Sequence, residues 1–120
     1  MSEKDKANLL AIFDSCSKIQ KFTEEIWDAD ALFTDEKTFD AVLMNFVLIG
    51  EAVARLSEKL KLEQHQIPWT QIKGFRNIVV HDYFGVDAEE VWQIINSKLP
   101  ELEKGIKEII EFNSDLNSTS

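Results

Sequence analysis

Apolar residues recur at steps of three and four along most of this chain, and no other feature restricts its fold so tightly. Over residues 4–27, Leu9, Ile12, Phe13, Cys16, Ile19, Phe22 and Ile26 form one stripe. Lys6, Asp14, Lys18, Lys21 and Glu25 occupy the opposite, solvated face. Trp27-Asp28-Ala29-Asp30 ends that helix, and after a turn Thr34 or Asp35 provides the next N-cap. A second helix, about 36–60, carries Phe39, Val42, Leu43, Phe46, Ile49, Val53, Leu56 and Leu60. Met44, Val47, Leu48 and Ala52 fill the gaps, so this helix is apolar nearly all round. Such a helix is covered on several sides, as when one face meets the bundle and another meets a second chain. Gly50 within it costs roughly 1 kcal/mol relative to alanine, which points to close approach of another backbone. Glu51 and Arg55, at i and i+4, are spaced to pair.

Residues 61–66 form a polar connection in which His65 is a surface histidine with no carboxylate or cysteine at ligand spacing. Pro68 suits the first turn of a third helix, which runs to about Val80. Phe84-Gly85 breaks the chain, and Val86-Asp87-Ala88-Glu89-Glu90 reads as N′, N-cap and an acidic first turn. Pro100 is unsuited to a helix interior and divides the remaining chain into helices of about 88–97 and 100–112. The last carries Leu102, Ile106, Ile109, Ile110 and Phe112. The expected fold is all-α: an up-and-down bundle of four main helices plus a short helix. Residues 1–112 make a single domain, and 113–120 a flexible C-terminal tail.

Composition narrows the setting. At 44% apolar and 29% charged, the chain folds rather than staying disordered. Its single cysteine excludes an intrachain disulfide. Residues 41–54, the most apolar run, are interrupted by Asn45 and Glu51 and are too short to span a bilayer. A cytoplasmic domain without membrane contact is expected. The net charge of −9 opposes broad nucleic-acid binding, and no DNA partner is expected. Any nuclease reading needs a local positive cleft built from Arg76 and Lys73, with Lys59 or Lys61.

One stretch carries the chemistry: Phe75-Arg76-Asn77-Ile78-Val79-Val80-His81-Asp82-Tyr83. Arginine is rare here, with only Arg55 and Arg76, and the sole tyrosine stands beside one of two histidines. A guanidinium is a charged fork suited to phosphate oxygens. An imidazole, with a reference pKa near 6.5, moves protons near neutrality. A phenol can accept a transferred group. Alternatively, Arg76 caps or pairs, His81 ends a helix and Tyr83 fills the core. On a straight helix Arg76 lies about 140° around the axis from His81, while Asn77 sits one turn before it. Gly74 would leave open space beneath the imidazole. Spacing alone leaves open whether the two groups meet within one chain or across a two-fold dimer.

Arg-Asn-x-x-x-His-Asp-Tyr resembles the Arg-x4–6-His motif of the HEPN superfamily, and the added x-Tyr looks like its HepT branch, the toxins of HepT/MntA toxin–antitoxin pairs. Ile49-Gly50-Glu51-Ala52, Ile67-Pro68-Trp69-x-x-Ile72-x-Gly74, Val91-Trp92 and Leu99-Pro100 extend the likeness. The resemblance implies a helical homodimer and a metal-independent endoribonuclease, without cofactor, that uses the RNA 2′-hydroxyl as nucleophile. Arg76 and His81 would be catalytic, His81 as general acid or base and Arg76 stabilising charge on the phosphorane. Asn77 would position the histidine or substrate, and Asp82 would orient His81 or cap the helix. Tyr83 would accept AMP from a minimal nucleotidyltransferase antitoxin, which blocks RNA and neutralises Arg76. A different class of function is a non-catalytic dimeric module that binds the nucleotidyltransferase or a nucleotide. A third is a purely structural helical adaptor.

Overall fold

Short polar side chains at the start of each apolar stripe set where most helices begin. The structure is a computed structural model that describes the backbone of residues 1–81, 85 and 87–119, and their side chains except at 80, 81 and 114–119. These residues form α1 (Glu3–Phe22), α2 (Ala29–Thr34), α3 (Glu36–Arg55), α4 (Glu58–Glu63), α5 (Trp69–Lys73), α6 (Phe75–His81), α7 (Ala88–Asn96) and α8 (Lys98–Thr119), with no strand among them. Side-chain oxygens of Ser2, Asp28, Asp35, Ser57 and Asp87 accept backbone N–H groups of the turns they precede, at 2.8–3.2 Å. Each satisfies a donor that the helix cannot.

The all-α bundle stands, cut into more segments than periodicity suggests. α1 stops at Phe22, where the Thr23 hydroxyl donates back to the Ile19 carbonyl at 2.9 Å. The turn expected between residue 30 and the next N-cap is instead the short helix α2, which Asp28 caps, and Asp35 is the N-cap of α3 as expected. The expected 36–60 helix ends at Arg55, since Leu56 is extended and Ser57 caps a separate α4. The third helix divides at Gly74 into α5 and α6, although the Gly74 N–H still donates to Thr70 and its carbonyl accepts from Asn77 and Ile78. Pro100 lies in the first turn of α8, where its missing N–H is not needed. α8 also runs past 112, with the Asn113 amide donating to the Ile109 carbonyl.

The core is one cluster. Leu9, Ile12, Cys16 and Ile19 of α1 meet Val42, Phe46, Ile49 and Val53 of α3 and Leu99, Leu102, Ile106 and Ile109 of α8. α7 packs on α2 and α8, and α5 and α6 pack on α3. Phe22 and Phe112, expected in apolar stripes, are exposed, as are Met44 and Leu48 on the outer side of α3. No helix of the described residues is long and apolar enough to cross a membrane.

Two contacts fix α3. At its end, the buried Asp5 carboxylate accepts the Ser57 N–H at 2.8 Å and the Ser57 hydroxyl at 2.6 Å. The start of α1 therefore lies against the end of α3, and the two helices run antiparallel. In its middle, the Phe46 ring stacks on Phe75 of α6 with centroids 5.1 Å apart. One turn further, a β-carbon on Gly50 would stand 2.7 Å from the Arg76 β-carbon and 3.0 Å from the Lys73 carbonyl oxygen. The close backbone approach expected at Gly50 is present.

Gly50→Ala should destabilise the fold by about 1–3 kcal/mol through overpacking, against roughly 1 kcal/mol of better helix propensity. Urea unfolding reads the sign; a variant as stable as the parent would mean that α3 and α6 part freely. Burial pushes the Asp5 carboxyl up, but hydrogen bonds from the Ser57 side chain and backbone and from Ser2, with the Lys4 charge, outweigh it, so the carboxyl sits below its usual 3.8. Its stabilisation is complete above that unfolded value and is lost as pH falls through the lower folded one. Asp5→Asn should cost about 1–3 kcal/mol at neutral pH. The deficit should shrink in melts taken toward about pH 3.

Candidate functional site

The stripe Ile72, Phe75 and Val79 is buried against α3, and this fixes the outward side of α5 and α6. Lys73, Arg76 and Asn77 are exposed there. By helical geometry position 81 follows Asn77 at about 40° around the axis and about 6 Å along it. The backbone of His81 closes α6, while its side chain lies outside the described residues, as do Asp82 and Tyr83. The structure thus brings together Arg76, Asn77 and the backbone of His81 on one short helix. A β-carbon on Gly74 would stand 3.0 Å from the Gln71 carbonyl oxygen, while the space expected beneath the His81 imidazole lies outside the described residues.

Arg76 has a partner that i,i+4 spacing does not reveal. Its Nε pairs with Oε1 of Glu51 on α3, the residue expected to pair with Arg55. Because Gly50 lets α6 press against α3, the next residue lies beside the base of Arg76. The Arg76 and Glu51 side chains are 46% and 39% exposed. A pair this exposed contributes at most about 1 kcal/mol to stability. Its stronger effect is to hold one edge of the guanidinium. The readable signal for Glu51 was its place next to a glycine that admits a second backbone.

The charge is segregated. Residues 24–40 hold Glu24, Glu25, Asp28, Asp30, Asp35, Glu36 and Asp40 against Lys37 alone. Residues 55–76 hold Arg55, Lys59, Lys61, Lys73 and Arg76 against Glu58 and Glu63. The acidic group lies at the start of α3, whereas Lys73 and Arg76 lie beside Gly50, about 15–21 Å along the axis from Asp40 and Glu36 at 1.5 Å per residue. Of the cations expected in a cleft, Lys73 and Arg76 share an exposed face, whereas Lys61 pairs with Glu58 at 3.6 Å on α4. Cys16 is no candidate nucleophile. Burial, with the Glu103 charge nearby, pushes its thiol up to about 12.

The chain has relatives among known proteins. Residues 12–109 match the family described as Ribonuclease HepT-like. The chain is 36% identical over 112 residues to "Putative RNase MJ0127" of Methanocaldococcus jannaschii, covering 92% of each. It is 33% identical over 102 residues to "Probable ribonuclease HepT" of Thermococcus cleftensis, covering 85% of this chain and 92% of that one. No solved structure matches. With four-fifths of its length matched by that family and relatives aligned nearly end to end, the chain belongs to the Ribonuclease HepT-like family.

Proposed function

We propose that this chain is a metal-independent endoribonuclease, the toxin of a toxin–antitoxin pair, with Arg76 and His81 as its catalytic residues. The observation that carries the reading is Arg76, exposed on the outer face of α6 five positions before His81 in a chain of this family. His81 takes the proton of an RNA 2′-hydroxyl, whose oxygen attacks the adjacent phosphorus. The bond to the 5′-oxygen breaks, that oxygen takes a proton from a His81 imidazolium, and a 2′,3′-cyclic phosphate remains. Arg76 stabilises the charge on the phosphorane, and Asn77 and Asp82 support the histidine or substrate. Lys73 beside Arg76 adds local positive charge.

The active form is a homodimer. Exposed Met44 and Leu48 stand on the same side of α3 as Glu51, so a second copy covering them sets both Arg76 side chains beside one cleft. A minimal nucleotidyltransferase antitoxin silences it by transferring AMP to Tyr83. The added phosphodiester is an anion placed two residues after His81, where it opposes RNA and answers the charge of Arg76. A second reading, a dimeric module that binds the nucleotidyltransferase or a nucleotide without cleaving, draws support from the acidic group at residues 24–40.

Arg76→Ala and His81→Ala should each lower cleavage of an oligoribonucleotide by about 10²–10⁴-fold, with circular dichroism and melting unchanged. Cleavage at the parent rate by His81→Ala protein would end the proposed mechanism, whereas no cleavage by the unmodified parent, together with a stable complex with the nucleotidyltransferase, would favour the binding module. Incubation with the antitoxin and ATP should add one or more adenylyl groups, read by intact mass. An adduct that persists in Tyr83→Phe would remove Tyr83 as the acceptor.

A further inference from the structure

We infer that Glu51 is a positioning residue that aims Arg76: it grips the guanidinium through Nε and leaves the Nη edge to take a phosphodiester. The inference rests on the nuclease reading above and names how that site is held. An arginine fork has two hydrogen-bonding edges, and a carboxylate on one of them restricts rotation about the long side chain. Glu51 approaches the Nε side, with the recorded contact between Nε and Oε1. The grip starts from a fixed base. Gly50 brings the Arg76 backbone hard against α3, and the Phe46–Phe75 stack one turn away prevents the helices from sliding.

This assignment differs from two simpler roles. A purely stabilising ion pair, at this exposure, would be worth at most about 1 kcal/mol and would not depend on which nitrogen is bonded. A competitor that occupies the phosphate's place would have to be displaced by RNA, and its removal would speed the reaction. An aiming carboxylate stays bonded when RNA binds, and its removal slows turnover while substrate binding changes little.

With only two arginines in the chain, nitrogen-15 spectra hold two Nε–H signals, which Arg76→Lys assigns. The Arg76 signal should be protected from exchange in the native protein, collapse to that of a solvated arginine in Glu51→Ala, and persist in Glu51→Gln. It should stay in place when a 2′-O-methyl RNA, which cannot cyclise, is added. In cleavage assays Glu51→Ala should lower kcat about tenfold with KM changed less than about twofold. Glu51→Gln should recover to within about threefold of the parent. In an Arg76→Ala background, Glu51→Ala should cost nothing more.

An unprotected Arg76 Nε–H, a signal displaced by RNA, faster cleavage by Glu51→Ala, or additive losses in the double variant would overturn the inference. If Arg76→Ala cleaves like the parent, or the parent does not cleave, it is the nuclease reading that fails. The Nε–H signals with and without Glu51 then decide the grip by themselves.

Discussion

The contact of α3 with α6 is the constraint on which the geometry of the site depends. Phe46 and Phe75 are both fully buried and stacked, which sets the rotation of α6 about its axis. A glycine one turn beyond lets the backbones close to a distance that a β-carbon forbids. Once Ile72, Phe75 and Val79 face inward, Lys73, Arg76 and Asn77 must face outward, because a helix of 3.6 residues per turn offers no alternative. The chemistry-bearing face is therefore a consequence of core packing. Burying Phe75 is worth several times the pairing of Arg76, about 3–5 kcal/mol on truncation against at most about 1 kcal/mol.

The same contact explains how an acidic chain can carry a cationic face. Net charge speaks for the whole surface, whereas fields between exposed charges fade over about 8–10 Å at physiological salt. The carboxylates of residues 24–40 collect around α2 and the start of α3, and Lys73 and Arg76 lie against its later half. A separation of about one and a half to two screening lengths or more weakens the influence of the acidic end on an anion at Arg76. It affects encounter with a long polyanion more than the local grip on one phosphate.

The helical class and nearly every core position could be read from spacing, because apolar periodicity is a local record of one buried face. Leu9 to Ile19 and Phe39 to Val53 are core as their spacing requires. The breaks were harder. Arg55 and Leu56 continue an apolar pattern into Leu60, so nothing local marks a stop; the stop comes from Ser57, held by Asp5 from fifty-two residues away. Phe22 fits its stripe but closes α1, and Phe112 lies beyond Ile109, the last core residue of α8, so the periodicity continues there without a neighbour to bury it. Short helix α2 was hidden because Asp28 and Asp30 read equally well as turn and as cap plus first turn.

Glu51 marks the boundary between what spacing can and cannot disclose. Helical neighbours at i and i+4 are always candidates, but their mutual attraction is only about 0.2–0.5 kcal/mol, too little to hold against a better partner. The better partner sat on another helix, and only the crossing point could reveal it. That crossing had left a trace in the sequence: a glycine inside an otherwise unbroken apolar helix. Small residues in such helices show where a second backbone arrives, and the polar residue beside one is a natural candidate to meet whatever that backbone carries. Here the backbone carries Arg76, so the sequence held the two halves of the contact, Gly50-Glu51 and Phe75-Arg76, and only their register remained for the fold to supply.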